Sequence, residues 1–162
     1  MSELEQYLGQ FESLNSKGAE SLKDIALEIA RLSGISNILI LVFGREGALL
    51  SGQAFGAVAR MNSDIAMEKA RTVLATGRST SVQRRRMEET GNRREDYGGK
   101  LGSLITGGVA VYKGADTEGR PKDFLGAIVA SGGYPAERDE EICVSALTRL
   151  GFATDVVSKS SP

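Results

Sequence analysis

Two hydrophobic rhythms alternate along the chain. Leu4, Leu8, Phe11 and Leu14 recur at helical spacing behind a Ser2/Glu5 capping-box pair and predict an amphipathic helix that runs to Gly18. Ser21 opens a second helix, with Leu22, Ile25, Ala26, Ile29 and Leu32 on one face and Gly34 as its stop. Ile38 to Phe43 is continuously apolar and rich in strand formers. Arg45-Glu46-Gly47 then supplies a turn and Ala48 to Phe55 returns as a weaker strand, so a hairpin is expected. A cap at Asn62 or Ser63 starts a third helix whose apolar stripe, Ala66, Ala70, Val73 and Leu74, ends at Gly77. Thr80 or Ser81 begins a fourth, more polar helix through Arg86 and Glu89. Gly91 to Gly102 follows as a glycine-rich, charged loop whose length suggests a lid or a binding loop. Leu104 to Tyr112 and Phe124 to Ser131 read as strands joined by a polar turn from Gly114 to Asp123. The last helix turns Ile142, Cys143, Ala146, Leu147 and Leu150 inward and stops at Gly151, and a frayed tail is expected beyond Thr154.

The order α, α, β, β, α, α, β, β, α favours an α/β (α+β) domain, in which an antiparallel sheet of hairpins carries packed helices. Residues 1–18 read as an amphipathic extension, 19–153 as one domain and 154–162 as a flexible tail. Neither glycine motif of the Rossmann or P-loop folds occurs with its strand and helix context.

Charge and composition narrow the chemistry. The formal net charge of the 162 residues is −1, which draws the protein neither to nucleic acid nor to an acidic membrane. The N-terminus lacks the basic and then apolar run of a secretory signal, and no segment approaches a membrane span, so a cytoplasmic protein is expected. Histidine is absent, which excludes Ser-His-Asp and Cys-His nucleophile systems. With a single cysteine as well, a zinc site of the familiar kind is excluded and no metal is expected. Cys143 falls on the apolar face of the last helix and reads as an inert buried thiol.

The candidate residues each carry two readings. Gly126-Ala-Ile-Val-Ala-Ser-Gly-Gly133 is a strand that ends in a flexible turn at a helix start. Its backbone N–H groups, at Ser131, Gly132 and Gly133, either hold an anion or polar ligand edge or form a tight connection. Arg84, Arg85, Arg86, Arg93 and Arg94 either grip a carboxylate or phosphate or form a solvated face with Glu88, Glu89, Glu95 and Asp96. Tyr97, between charges and glycines, is either a phenol that covers a ligand and moves protons or an ordinary loop aromatic. Thr80 is a helix cap or a hydroxyl donor to a ligand. Lys69 either points to a partner subunit or ligand or is a solvated lysine, the better reading. Glu68 and Arg71 have salt-bridge spacing, and Glu137, Asp139, Glu140 and Glu141 are either a carboxylate metal surface or, more simply, stabilising charge in the last helix's first turn.

Four separated segments resemble the GlcG/HbpS-like family of small haem-binding or haem-degrading-type proteins. They are Arg60-Met61 with Asp64, Ala66, Lys69, Ala70 and Thr72; Gly77-Arg78-Ser79-Thr80; Gly107-Gly108-Val109; and Gly126-Ala127-Ile128 to Ser131-Gly132-Gly133 with Glu137, Asp139 and Glu140. The segments occur in the family's order over roughly residues 20 to 150. The chain departs from the pattern at Ser79 and Ala110, where the family usually has Pro, and at Val129, where Gly is common. The resemblance implies a profilin-like fold with a five-stranded antiparallel sheet flanked by helices, and assembly into dimers or larger rings. It also implies a ligand cleft bounded by the Gly91 to Lys100 loop, the Gly107-Gly108 strand start and the Ser131 turn. Ligand-binding residues are then Thr80, Arg84, Tyr97, Gly107, Gly108, Ser131, Gly132 and Gly133. Haem is the cofactor the family suggests. In a chain without histidine its iron would need a Tyr, Cys, Met or weak oxygen donor, Tyr97 and Tyr112 being the plausible tyrosines, and a compact organic anion or aromatic ligand suits the arginines better. The leading expectation is a small-molecule-binding protein. One alternative is a cofactor-free enzyme acting on a small organic acid through Tyr97 and Arg94. The other is an interaction protein, because Ser21 to Phe55 also resembles roadblock-type dimer modules.

Overall fold

The computed structural model describes residues 14–157. Helix α1 (Ser16–Leu32) leads to strands β1 (Ile38–Gly44) and β2 (Leu49–Phe55). Helices α2 (Arg60–Thr76) and α3 (Thr80–Thr90) and a 3-10 turn (Arg94–Tyr97) come next. Strands β3 (Gly108–Ala115) and β4 (Pro121–Ser131) and helix α4 (Ala136–Leu150) complete the order. The expected helix before Gly18 lies mostly outside the described residues. Gly18 itself falls inside α1, which starts five residues earlier than Ser21 because Asn15 caps it, its Oδ1 accepting from Gly18 N at 2.8 Å. Helix α2 begins at Arg60 without a side-chain cap, ahead of the expected Asn62 or Ser63.

The described strands form one antiparallel sheet of four, in the order β2-β1-β4-β3, rather than the five the resemblance implied. Beyond β3 there is only a single bridge, Tyr112 to Ala153, with both N–H···O bonds at 2.9 Å. Both faces of the central strands are covered, which is why β1 and β4 read as unbroken apolar runs. Ile38, Ile40 and Val42 turn toward α1 and α4 with Val109, Val111, Ile128 and Ala130. Leu41 and Phe43 turn the other way, onto the Ala66, Ala70 and Val73 stripe of α2 with Ala110, Ala127 and Val129. The small alanines let α2 lie close to β3 and β4. It does not extend over β2, where Leu49, Gly52 and Ala54 stay exposed. No helix among the described residues is long and apolar enough to cross a membrane.

Candidate functional site

The α2 stripe carries a lysine. Lys69 lies three residues after Ala66 and four before Val73, so helical periodicity drives its side chain into the interior, where it is 1% exposed. Its Nζ donates to Ala130 O at 2.9 Å and stands 3.6 Å from Asp139 Oδ2 on α4. Asp139 is 2% exposed, and its Oδ1 accepts from Gly133 N at 3.0 Å. The pair thus joins a helix on one face of the sheet to a helix on the other, around the end where β3 begins and β4 ends. Burial pushes Asp139 up to about 6 against the pull of Lys69 and the Gly133 N–H. Burial likewise holds Lys69 below its ordinary value, with Asp139 opposing. Gly107 makes the clasp possible: at φ +130°, a Cβ there would sit 2.6 Å from Lys69 Nζ and 2.8 Å from Ala130 O. Cys143 is buried beside this pair, and burial pushes its thiol up, away from reactivity.

The start of α3 is tied to the same region. Thr80 Oγ1 accepts from Gly108 N at 3.2 Å and donates to Gly108 O at 3.3 Å, so the fully buried hydroxyl neither caps the helix nor meets solvent. Ser79 Oγ donates to Asp155 Oδ1 at 2.5 Å and accepts from Ala110 N at 2.8 Å, while Ser79 N donates to Asp155 Oδ2 at 3.0 Å. Proline at 79 or 110 would lack an N–H used here. Tyr112 gives its phenolic proton to Gly77 O, and burial raises its pKa.

The glycine-rich loop is laced onto α2. Thr72 Oγ1 accepts from Gly102 N at 2.9 Å and donates to Ser103 O at 2.8 Å, and Ser103 N donates to Glu68 O at 3.1 Å. Arg71 reaches Gly99 O at 2.7 Å instead of pairing with Glu68, and Arg94 reaches Gly102 O at 2.8 Å. Between the loop and α2 lies an open cleft of about 350 Å³, lined by Met61, Asp64, Ile65, Glu68, Arg94 and residues 101–103.

The residues expected at the site therefore separate into groups. Thr80, Gly107, Gly108, Ser131 and Gly133 gather at the buried sheet end, where Lys69 and Asp139 fill the space beside Gly107 and Gly133. Gly132 lies in the adjoining turn, packed near Asn37 and Asn62. Arg94 lines the open cleft. Arg84 is exposed and ties down the chain ahead of β3 through Leu104 O at 3.1 Å and Thr106 Oγ1 at 3.2 Å. Tyr97 stands on the 3-10 turn outside the cleft lining. Hydrogen bonding from Asn92 holds its pKa below the ordinary value, with the Arg78 and Arg86 charges adding to it. Two contributors were missed. Lys69 sits on the apolar stripe, and Asp139 precedes Ile142, Cys143 and Ala146 at helical spacing, so periodicity marked both as inward facing.

These features define a class: a three-layer α/β protein whose antiparallel sheet is clasped at one end, with a ligand-sized cleft on its α2 flank. The chain belongs to the HbpS-like family, since the profile described as "Haem degrading protein HbpS-like" matches residues 14–148. Among solved structures it is similar to HbpS, at 19% identity over 86% of this chain and 91% of the other, with a TM-score of 0.66. A double mutant of Streptomyces reticuli HbpS gives 20%, 86%, 88% and 0.65 for the same measures. A PduOC:heme complex gives 20%, 83%, 93% and 0.65, and Klebsiella pneumoniae protein ORFY gives 18%, 85%, 90% and 0.65. A comparison with curated protein sequences finds no match.

Proposed function

We propose that the chain is a small-molecule-binding protein whose ligand, compact and with an apolar or aromatic body, occupies the cleft between α2 and residues 101–103. The observation that carries this reading is the cleft itself. Met61, Ile65 and Leu101 give it apolar walls, Arg94 stands at its edge, and its volume of about 350 Å³ lies within the usual range for ligand sites. Family membership supports the same class of function.

Haem, which the family description and one structural neighbour name, does not suit the donors at this cleft. The chain has no histidine. Cys143 is sealed in the core, and the Tyr112 phenol is engaged with Gly77. Met61 offers a thioether, which in cytochromes c is paired with a histidine that this chain does not have. Tyr97 has the lowered pKa that favours a phenolate, but it stands outside the lining. The placing of Tyr97 and Arg94 on one 3-10 turn favours a second reading, in which Tyr97 moves a proton for a small acid steadied by Arg94. The proposal extends to assembly into dimers or larger rings in the cytoplasm. In support, the sheet face that α2 leaves open holds a groove of about 440 Å³ bordered by Leu39, Leu41 and Leu49.

The test is native mass spectrometry of the untreated protein, alongside a haemin titration followed by absorption. A small-molecule adduct that is lost in Arg94→Ala, with no Soret shift, is the expected result. An adduct indifferent to Arg94→Ala, or a sharp Soret band at one haemin per protomer, overturns the reading. Turnover lost in Tyr97→Phe with binding retained would establish the second.

A further inference from the structure

The charges around the cleft say more about what it takes. Asp64 and Glu68 are one helical turn apart on α2, so both carboxylates stand on the wall that faces the cleft. Like charges at this spacing destabilise a helix, and among the described residues neither is in an ion pair. Arg94 stands on the loop side. It spends one N–H on Gly102 O and pairs with neither carboxylate, leaving further guanidinium donors for a ligand. Opposite charges thus line one cavity without forming an ion pair, Glu68 and Arg94 both reaching toward Gly102, and Met61, Ile65 and Leu101 add apolar surface beside them.

Resting on the cleft reading above, we propose that the ligand is amphoteric: a compact apolar or aromatic body carrying an ammonium for Asp64 and Glu68 and a carboxylate for Arg94, as in an apolar α-amino acid. A purely anionic ligand would bring its charge toward two carboxylates, and a purely cationic one would leave Arg94 unanswered. A zwitterion meets both signs. The guanidinium fork matches a carboxylate in two-point geometry, and an ammonium directs its three donors to the paired acids.

The experiment compares three probes of one carbon skeleton by calorimetry on the full chain: phenylalanine, phenethylamine and 3-phenylpropanoate. Phenylalanine is expected to bind at least about threefold more tightly than either of the others, the scale of one solvent-accessible charge pair. Arg94→Gln should abolish the advantage over the amine. Glu68→Gln and, separately, Asp64→Asn should each shrink the advantage over the acid. All three side chains are exposed, so the fold should persist, which circular dichroism checks. If 3-phenylpropanoate binds as tightly as phenylalanine and the carboxylate variants change nothing, the amphoteric inference fails while the cleft reading stands. If none of the three binds and native mass spectrometry shows no adduct, both fail.

Discussion

Replacing Lys69 with Met keeps the apolar stem but removes the ammonium that faces Asp139 and donates to Ala130 O. The magnitude follows from Asp139. Its rise from 3.8 to about 6 on folding means that the buried carboxylate is already disfavoured by about 3 kcal/mol at neutral pH, even with Lys69 present. Without the lysine the charge is buried unpaired, a change that costs about 3 to 5 kcal/mol where it has been measured in proteins. The sign with pH is fixed by the direction of the shift. Folded Asp139 keeps its proton to higher pH than the unfolded chain does, so its contribution favours the fold fully below 3.8 and is lost as pH rises through about 6. Lys69→Met raises the folded value further, so its penalty is greatest at neutral pH and shrinks on acidification. At acid pH the bond to Ala130 O is missing, about 1 kcal/mol, and this is offset because Met also removes a buried ammonium that a protonated Asp139 no longer balances. Urea unfolding at about pH 4.5 and about pH 7.5 reads both regimes, and the neutral loss is a large share of the roughly 5 to 15 kcal/mol that holds a domain folded. Adding Asp139→Asn to Lys69→Met should recover part of the neutral loss, because an amide still accepts from Gly133 N without burying a charge. Equal losses at the two pH values, or a neutral loss below about 1 kcal/mol, would refute the reasoning.

Three further outcomes are expected. Gly107→Ala should lower thermal stability by several kcal/mol, since its Cβ meets both Lys69 Nζ and a backbone carbonyl at a left-handed φ; a melt within a degree of the parent would contradict the clasp geometry. Ser79→Ala should cost about 1 to 3 kcal/mol in denaturant unfolding, because the Ala110 N–H loses its acceptor and Asp155 a donor. Thr72→Val should free the Gly102 amide, seen as faster hydrogen exchange there with little change in the core strands.

Much of the fold was legible because each face of the sheet imposes its own pattern. The two-sided burial of Ile38 to Phe43 and of residues 125–130 produced the apolar runs, and left-handed glycines at Gly77 and Gly151 ended helices where expected. Boundaries failed where a distant residue decided them. Residues 104–107 look like strand, but Arg84 holds Leu104 and Thr106 from α3, and the ladder starts only at Gly108. The site was harder. By residue type Lys69 reads as a solvated lysine and Asp139 as a first-turn charge, and type obscures what position shows. Each lies on the inward face of its helix, and burial of one makes sense only once the other is known to meet it across the sheet end. The cleft needed the fold of the 91–103 loop, whose anchors are Thr72 and backbone carbonyls rather than the arginine–carboxylate pairs that its composition advertises.

Asp155 links two parts of the chain that are made well apart in time. The carboxylate that holds Ser79, at the start of α3, lies 76 positions further along the chain, and the bridge from Ala153 to Tyr112 closes beside it. During synthesis α3 and the outer edge of β3 therefore wait for residues 153–155 before their polar groups are met. A chain cut just before Ala153 would lose the finish of its middle, and a carrier or tag fused there would act on α3 from a distant part of the sequence.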